Sequence, residues 1–199
     1  MENIHYPLDL TFNITTLSND FSAKDSSGVS LAYVRQKLFK LKESVTVFSN
    51  ENKTNELFTI TADKWLDFNT SYVFSRSNSD QKIGRIVRKG WKSLWKSRYE
   101  IYDERDQQDL ILTEDNAWIK YMDHFFRSIP FVGILSGYVF NPKYNIMRPD
   151  GTLVVQISKE QSFWGRRFKL SKISEFEEGE EERILLGSMM MILLERRKG

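Results

Sequence analysis

The chain has 199 residues, of which 40% are hydrophobic and 28% charged, and its formal net charge is +2. This length favours a single domain over residues 1–199, and the composition excludes a disordered chain. So small a net charge excludes a strong global attraction to nucleic acid or membrane, so an electrostatic partner would have to be attracted by a local patch. The absence of cysteine excludes disulfides, thiolate zinc sites, iron–sulfur clusters and cysteine nucleophiles.

Most of the chain is predicted to be β-structure, because short runs alternate apolar and polar residues between polar turns. Four predicted hairpins share one plan, in which an aromatic residue leads the first strand and a polar turn leads to a second apolar strand. The leading aromatics are Phe21, Tyr72, Tyr99 and Tyr144. The remaining predicted strands cover residues 45–48, 57–60, 138–140 and 168–173.

A basic stretch with an aromatic residue follows three of these hairpins, at residues 35–40, 88–92 and 159–167. The recurrence fits either a genuine structural repeat or an ordinary meander of hairpins, and the sequence leaves both open. Three similar segments would argue for a structural role, since binding usually uses one site.

Residues 114–127 are predicted to form a peripheral amphipathic helix. Thr113 can cap it, Glu114 and Asp115 suit its positive N-terminal end, and Pro130 limits its length. One face collects apolar residues at helical spacing, namely Trp118, Ile119, Met122, Phe125 and Phe126. We expect this face to pack against the sheet, and the alternative is a surface for a partner.

The last segment carries the most informative pattern. Residues 177–183 are mostly acidic, residues 184–194 are apolar on every side of a helical wheel, and residues 195–198 are charged. A helix without a polar face must be surrounded on all sides. At ~1.5 Å per residue it spans only ~16 Å, whereas a bilayer core needs ~20 apolar residues. We therefore predict a helix buried inside its own domain.

The order of these elements is itself distinctive. Aromatic-led hairpins precede an amphipathic helix ending before Ile129-Pro130, then a hairpin through Pro149-Asp150-Gly151, then an apolar helix ending in Glu195-Arg196-Arg197. From about residue 12 to residue 198, the chain resembles the tubby C-terminal-like superfamily, and within it the phospholipid scramblase-like and LURP-one-related branch. The resemblance implies a mainly β fold. It would be a closed antiparallel β-barrel of about twelve strands around the buried hydrophobic C-terminal α-helix, with one peripheral amphipathic helix.

The resemblance does not extend to scramblase activity. The chain has no cysteine cluster for palmitoylation, and the glutamates within 177–182 lack the alternating oxygen-ligand spacing of a calcium loop. Tubby proteins bind phosphoinositides through basic residues on the barrel surface, but those positions cannot be matched one by one in this chain.

The one local signal with chemical content is residues 82–98, which are basic and contain no acidic residue. Cations attract anionic head groups by ~1 kcal/mol each near a membrane surface, and tryptophan favours the membrane interface. The candidate ligand-binding residues are Lys82, Arg85, Arg88, Lys89, Trp91, Lys92, Trp95, Lys96 and Arg98. The same mixture would suit nucleic-acid phosphates and bases, or a solvated outer strand face with the tryptophans packed inward.

Catalytic chemistry is not indicated, because the sequence has no phosphate loop, dinucleotide fingerprint or nucleophile elbow. His5 and His124 are interpreted as surface or boundary residues, and two histidines without cysteine make a poor metal site. We predict no cofactor and no metal. A set of carboxylates near one predicted turn is interpreted as solvated, namely Asp103, Glu104, Asp106 and Asp109.

We interpret the chain as a non-enzymatic binding module for anionic phospholipid or phosphoinositide head groups at the membrane surface. The alternative is a structural or protein-interaction domain with no lipid role. Nucleic acid is not favoured as a partner, and no protein partner is identified. Residues 1–7 have neither a basic n-region nor an apolar h-region. We therefore expect no signal peptide, no transmembrane segment and a cytoplasmic location, peripheral at the membrane.

Overall fold

The computed structural model describes residues 4–13, 19–36, 44–63, 71–89, 98–115, 143–160 and 165–196. The strands in these ranges are β1 (Leu8–Asn13), β2 (Asn19–Lys24), β3 (Ser30–Gln36), β4 (Val45–Phe48), β5 (Glu56–Asp63), β6 (Ser71–Arg76), β7 (Lys82–Arg88), β8 (Arg98–Tyr102), β9 (Gln108–Asp115), β10 (Lys143–Met147), β11 (Leu153–Glu160) and β12 (Gly165–Lys172). The helix is α1 (Glu180–Arg196). The four predicted hairpins fall on these strands, as do the strands predicted at 45–48, 57–60 and 168–173. Residues 138–140 lie outside the described ranges.

The sheet closes on itself. Each strand pairs with its neighbours in sequence, and β1 pairs with β12, which makes an antiparallel barrel of twelve strands. Side chains alternate between the two faces of such a wall, which is why the strands alternate apolar and polar residues. Ile86 and Ile101, which pair across β7 and β8, have no exposed surface and point inward. The barrel predicted from the sequence is confirmed.

Helix α1 occupies the interior of the barrel. Nine apolar side chains between Ile184 and Leu194 are buried and belong to the same hydrophobic core as the inward-facing strand residues. This confirms the predicted enclosed helix, which begins at Glu180, before the apolar run. Within the described ranges, no helix is both long enough and apolar enough to cross a membrane.

The first turn of α1 is joined to four separate parts of the barrel rim. Negative charge suits this turn, because the N-terminus of a helix carries a partial positive charge. The contacts are Glu180 with Arg148, Glu181 with the hydroxyl of Tyr6, Glu182 with Arg76, and Arg183 with Asp109. These contacts hold one end of the helix in register with strands that are far apart in sequence.

Arg183 passes close to the wall at a point where the wall has no side chain. A Cβ atom on Gly84 would lie 2.3 Å from the carbonyl oxygen of Tyr102 and 2.9 Å from Cδ of Arg183. Any side chain at position 84 would therefore clash with the Tyr102 backbone and crowd Arg183, which pairs with Asp109 of β9. Burial raises the pKa of Asp109, while the charge of Arg183 and its hydrogen bond act in the opposite direction.

The predicted start of the peripheral helix is wrong. Thr113, Glu114 and Asp115 continue β9, where they pair with Asn145, Tyr144 and Lys143 of β10. Pairing with a neighbouring strand has overridden the local capping pattern. The remainder of that prediction, residues 116–127, lies outside the described ranges.

Gly187 marks a close approach of α1 to the wall. A Cβ atom there would lie 2.6 Å from Cδ1 of Ile101 and 3.8 Å from Cδ1 of Ile86. We expect Gly187→Leu to overpack the interior and lower the free energy of unfolding by roughly 1–3 kcal/mol, as measured by urea denaturation. The matched control is Met190→Leu, a change of similar volume at a buried position of the same helix, which should cost less than about 1.5 kcal/mol. An unchanged midpoint for Gly187→Leu would mean that this side of the helix faces open space.

Candidate anion-binding surface

The described part of the basic segment lies on two neighbouring strands, β7 and β8. Ile86 pairs with Ile101 and both face the interior, so the residues that alternate with them face outward. Arg85 therefore stands beside Tyr102 on the outer face, where these two residues are a register pair. The guanidinium of Arg85 lies over the Tyr102 ring, 4.1 Å from its centre.

Asp106, in the turn between β8 and β9, joins two cations of this face. One of its oxygens lies 2.7 Å from Nζ of Lys82 and 2.8 Å from Nε of Arg85. The hydrogen bonds from Lys82 and Arg85 hold the pKa of Asp106 below its usual range, so it is ionised at neutral pH. Because Asp106 is itself exposed, we expect this cluster to contribute little to stability.

Glu100, on β8, joins the other two cations. Its carboxylate lies 2.9 Å from Nζ of Lys89 and 3.5 Å from Nη2 of Arg98, and it accepts a 2.7 Å hydrogen bond from the hydroxyl of Tyr102. Burial acts to raise the pKa of Glu100, but the hydrogen bonds from Tyr102 and Lys89 and the two positive charges outweigh it and lower that pKa. The hydrogen bond to Glu100 in turn raises the pKa values of Lys89 and Tyr102.

These six residues form one outer surface, the β7–β8 surface, made of Lys82, Arg85, Lys89, Arg98, Glu100 and Asp106. Four cations and two carboxylates leave it with a net positive charge. Its chemistry suits the binding of a multivalent anion, because ammonium and guanidinium groups are the usual donors to phosphate oxygens.

A family model described as LURP-one-related matches residues 30–176 of the chain. The chain belongs to the LURP-one-related family. That family falls within the tubby-like C-terminal superfamily, so the resemblance predicted from the order of elements is confirmed. Comparison with curated proteins and with solved structures gives no match. The matched range runs from β3 to β12 and contains the whole β7–β8 surface of this LURP-one-related protein.

The structure separates the nine predicted site residues into three groups. Four of them, Lys82, Arg85, Lys89 and Arg98, share the outer surface. Arg88 differs from these four. It pairs with the inward-facing Tyr99, so its position in β7 belongs to the inner face of the barrel wall. The other four lie outside the described ranges, namely Trp91, Lys92, Trp95 and Lys96. The site as a whole stays a prediction.

Sequence reasoning missed the two carboxylates and the tyrosine. Residues 82–98 contain no acidic residue, yet Glu100 and Asp106 lie just beyond this segment and partly neutralise it. The alternation of β8 indicates that Glu100 and Tyr102 share one face. Their meeting with Lys89 and Arg85 depends on the register of β7 against β8, in which Val87 pairs with Glu100.

The carboxylates near the β8–β9 turn have separate roles. Asp103 accepts hydrogen bonds from the backbone amides of Arg105 and Gln107, which shape the turn. Asp106 is exposed and belongs to the β7–β8 surface. Asp109 is only 16% exposed and pairs with the buried Arg183, so its interpretation as a solvated residue is wrong. Within the part of the chain that the structure describes, no group of three or more histidine, cysteine, aspartate or glutamate residues is arranged to hold a metal ion.

Proposed function

We propose that this LURP-one-related protein is a non-enzymatic, cytoplasmic binding module that docks on anionic phospholipid head groups through the β7–β8 surface. The observation that carries the proposal is the gathering of Lys82, Arg85, Lys89 and Arg98 on one outer face of two paired strands. Membership of the tubby-like superfamily is compatible with lipid binding, and the LURP-one-related family is not known as enzymatic.

The strength expected of such a surface is modest. Each cation near an anionic membrane contributes ~1 kcal/mol, and screening limits the reach of a surface charge to ~8 Å at physiological ionic strength. Four cations offset by two carboxylates should therefore give a reversible, salt-sensitive association rather than a permanent anchor.

We expect the protein to float with vesicles of phosphatidylcholine that contain phosphatidylglycerol and to ignore vesicles of phosphatidylcholine alone. The double variant Lys82→Gln/Arg85→Gln should weaken vesicle binding on the order of thirtyfold, because two contributions of ~1 kcal/mol are lost. Its fold should be preserved, since Asp106, the partner left behind, is exposed.

The matched control is Arg167→Gln/Lys169→Gln, which removes two positive charges from the outer face of β12 instead. Phe168 and Leu170 alternate with these two residues and are buried, so Arg167 and Lys169 point outward, four strands away from β8. This control should bind vesicles as the unaltered protein does. Equal affinity for neutral and anionic vesicles, or none for either, would reject the proposal in favour of a structural or protein-interaction domain.

A further inference from the structure

Glu100 is placed unusually for an acidic residue on an outer barrel face. The residue is only 8% exposed, and its carboxylate is held by three donor groups, from Lys89, Arg98 and Tyr102. An oxyanion surrounded by an ammonium, a guanidinium and a hydroxyl is the arrangement that protein sites use to bind phosphate. Here the oxyanion belongs to the protein itself.

We propose that Glu100 is a built-in occupant of an anion site, whose carboxylate a phosphate group of the ligand must displace to reach Lys89, Arg98 and Tyr102. The inference deepens the proposed function and rests on it, because it names the residue that limits affinity at the same surface. In the unliganded protein, the Glu100 carboxylate then occupies the donor groups that the phosphate of the ligand would use.

The exposure of the two cationic partners supports displacement. The side chains of Lys89 and Arg98 are 42% and 51% exposed, while that of Glu100 is 10% exposed. A ligand can therefore approach both cations from the solvent side, but the donor atoms that face Glu100 become available to it only when the carboxylate moves away. The internal carboxylate satisfies the same donors that a phosphate would use, so binding is opposed by the loss of those contacts.

Asp106 provides a comparison on the same surface. It also neutralises two cations, but its side chain is 54% exposed, and water competes for all of its contacts. Removal of Asp106 should change the general charge of the surface, whereas removal of the Glu100 carboxylate should vacate a defined set of donors. Variants of the two residues therefore distinguish a change in the overall charge of the surface from the vacating of a specific set of donor groups.

The experiment compares Glu100→Gln with Asp106→Asn, each of which removes one negative charge from the β7–β8 surface. Two probes distinguish the source of the phosphate: vesicles of phosphatidylcholine with phosphatidylglycerol, and inorganic pyrophosphate measured by calorimetry. We expect Glu100→Gln to bind the anionic vesicles and pyrophosphate about tenfold more tightly than the unaltered protein does, equivalent to ~1.4 kcal/mol. Asp106→Asn should change the affinity by about threefold or less, and adding Arg98→Gln to Glu100→Gln should abolish the gain.

Glu100→Ala is measured in parallel, so that misfolding of one variant does not decide the result, and thermal unfolding checks both. Unchanged affinity in both Glu100 variants, or an equal gain in Asp106→Asn, would overturn the inference. If the unaltered protein binds anionic vesicles and Glu100→Gln binds no better, the inference fails and the proposed function survives. If Glu100→Gln gains affinity for pyrophosphate while no form binds vesicles, the inference holds for a soluble phosphate ligand and the membrane function fails.

Discussion

A chain that ends at Gly179 is expected to lose its fold and to aggregate. The nine buried apolar side chains of α1 are removed with the helix, and each contributes ~1.5–3 kcal/mol when it is buried. Their sum, roughly 14–27 kcal/mol, is at least comparable to the ~5–15 kcal/mol by which a whole domain is normally stable. Size-exclusion chromatography and thermal unfolding followed by circular dichroism will measure the effect.

The same loss is expected from a single charge in the full-length chain. Met190 is fully buried within α1, so Met190→Asp would place an unpaired carboxylate in the core. Met190→Leu, which preserves volume and polarity, is the control and should fold normally. A soluble, monomeric and cooperatively unfolding chain without α1 would show that the barrel does not depend on the helix for its core.

Glu180→Ala, at the barrel rim, should lower the free energy of unfolding by about 3–5 kcal/mol. The residue has no exposed surface, and its carboxylate receives hydrogen bonds of 2.8 Å and 2.7 Å from Nε and Nη2 of Arg148 and one of 2.8 Å from the backbone amide of Glu177. Its removal leaves a largely buried guanidinium without its main partner. Urea denaturation at neutral pH will measure the change in the free energy of unfolding.

The control for this prediction lies in the same turn of the helix. Glu182→Ala also removes a glutamate that is paired with an arginine, but Arg76 is 41% exposed and can be solvated when its partner is lost. That variant should lose on the order of 1 kcal/mol or less. Equal losses in the two variants would show that burial does not distinguish the two ion pairs.

The Glu180 pair also predicts how stability depends on pH. Burial acts to raise the pKa of Glu180, but the hydrogen bonds from Arg148 and Glu177 and the charges of Arg148 and Arg183 outweigh it, so the folded-state pKa is lowered. The stabilisation is therefore complete above the unfolded pKa of ~4.3 and is lost as the pH falls through the lower folded-state value. The melting temperature of Glu180→Gln should fall less steeply than that of the unaltered protein below about pH 4.5.

The fold could be predicted from the sequence because its signals are local. Strand alternation, the turn before Gly151 and the apolar run at 184–194 each act over a few residues, and none depends on knowing a distant partner. A helix that is apolar all round and too short for a bilayer leaves few solutions other than enclosure by the rest of the domain. The resemblance to the LURP-one-related branch rested on the order of these signals.

The error at Thr113, Glu114 and Asp115 shows where local signals fail. A capping residue followed by two acidic residues is typical of a helix start. The same three residues are held in β9 by pairing with β10, a strand that begins at Lys143. The pairing strand β10 is distant in sequence from residue 113, so the local sequence around residue 113 favoured the wrong structure.

The sequence by itself determined that β-strands would enclose an apolar helix, because the periodicity of burial is a property of neighbouring residues. The closed barrel of about twelve strands was implied by the family resemblance. Only the tertiary structure decided which charges meet. The register of β7 against β8 brings Glu100 to Lys89, while alternation along β7 places Arg88 on the opposite face. The continuous basic segment is thereby divided into side chains with different partners and directions. Register is set by packing across the whole barrel, and a shift of one residue would reverse every side chain on the strand.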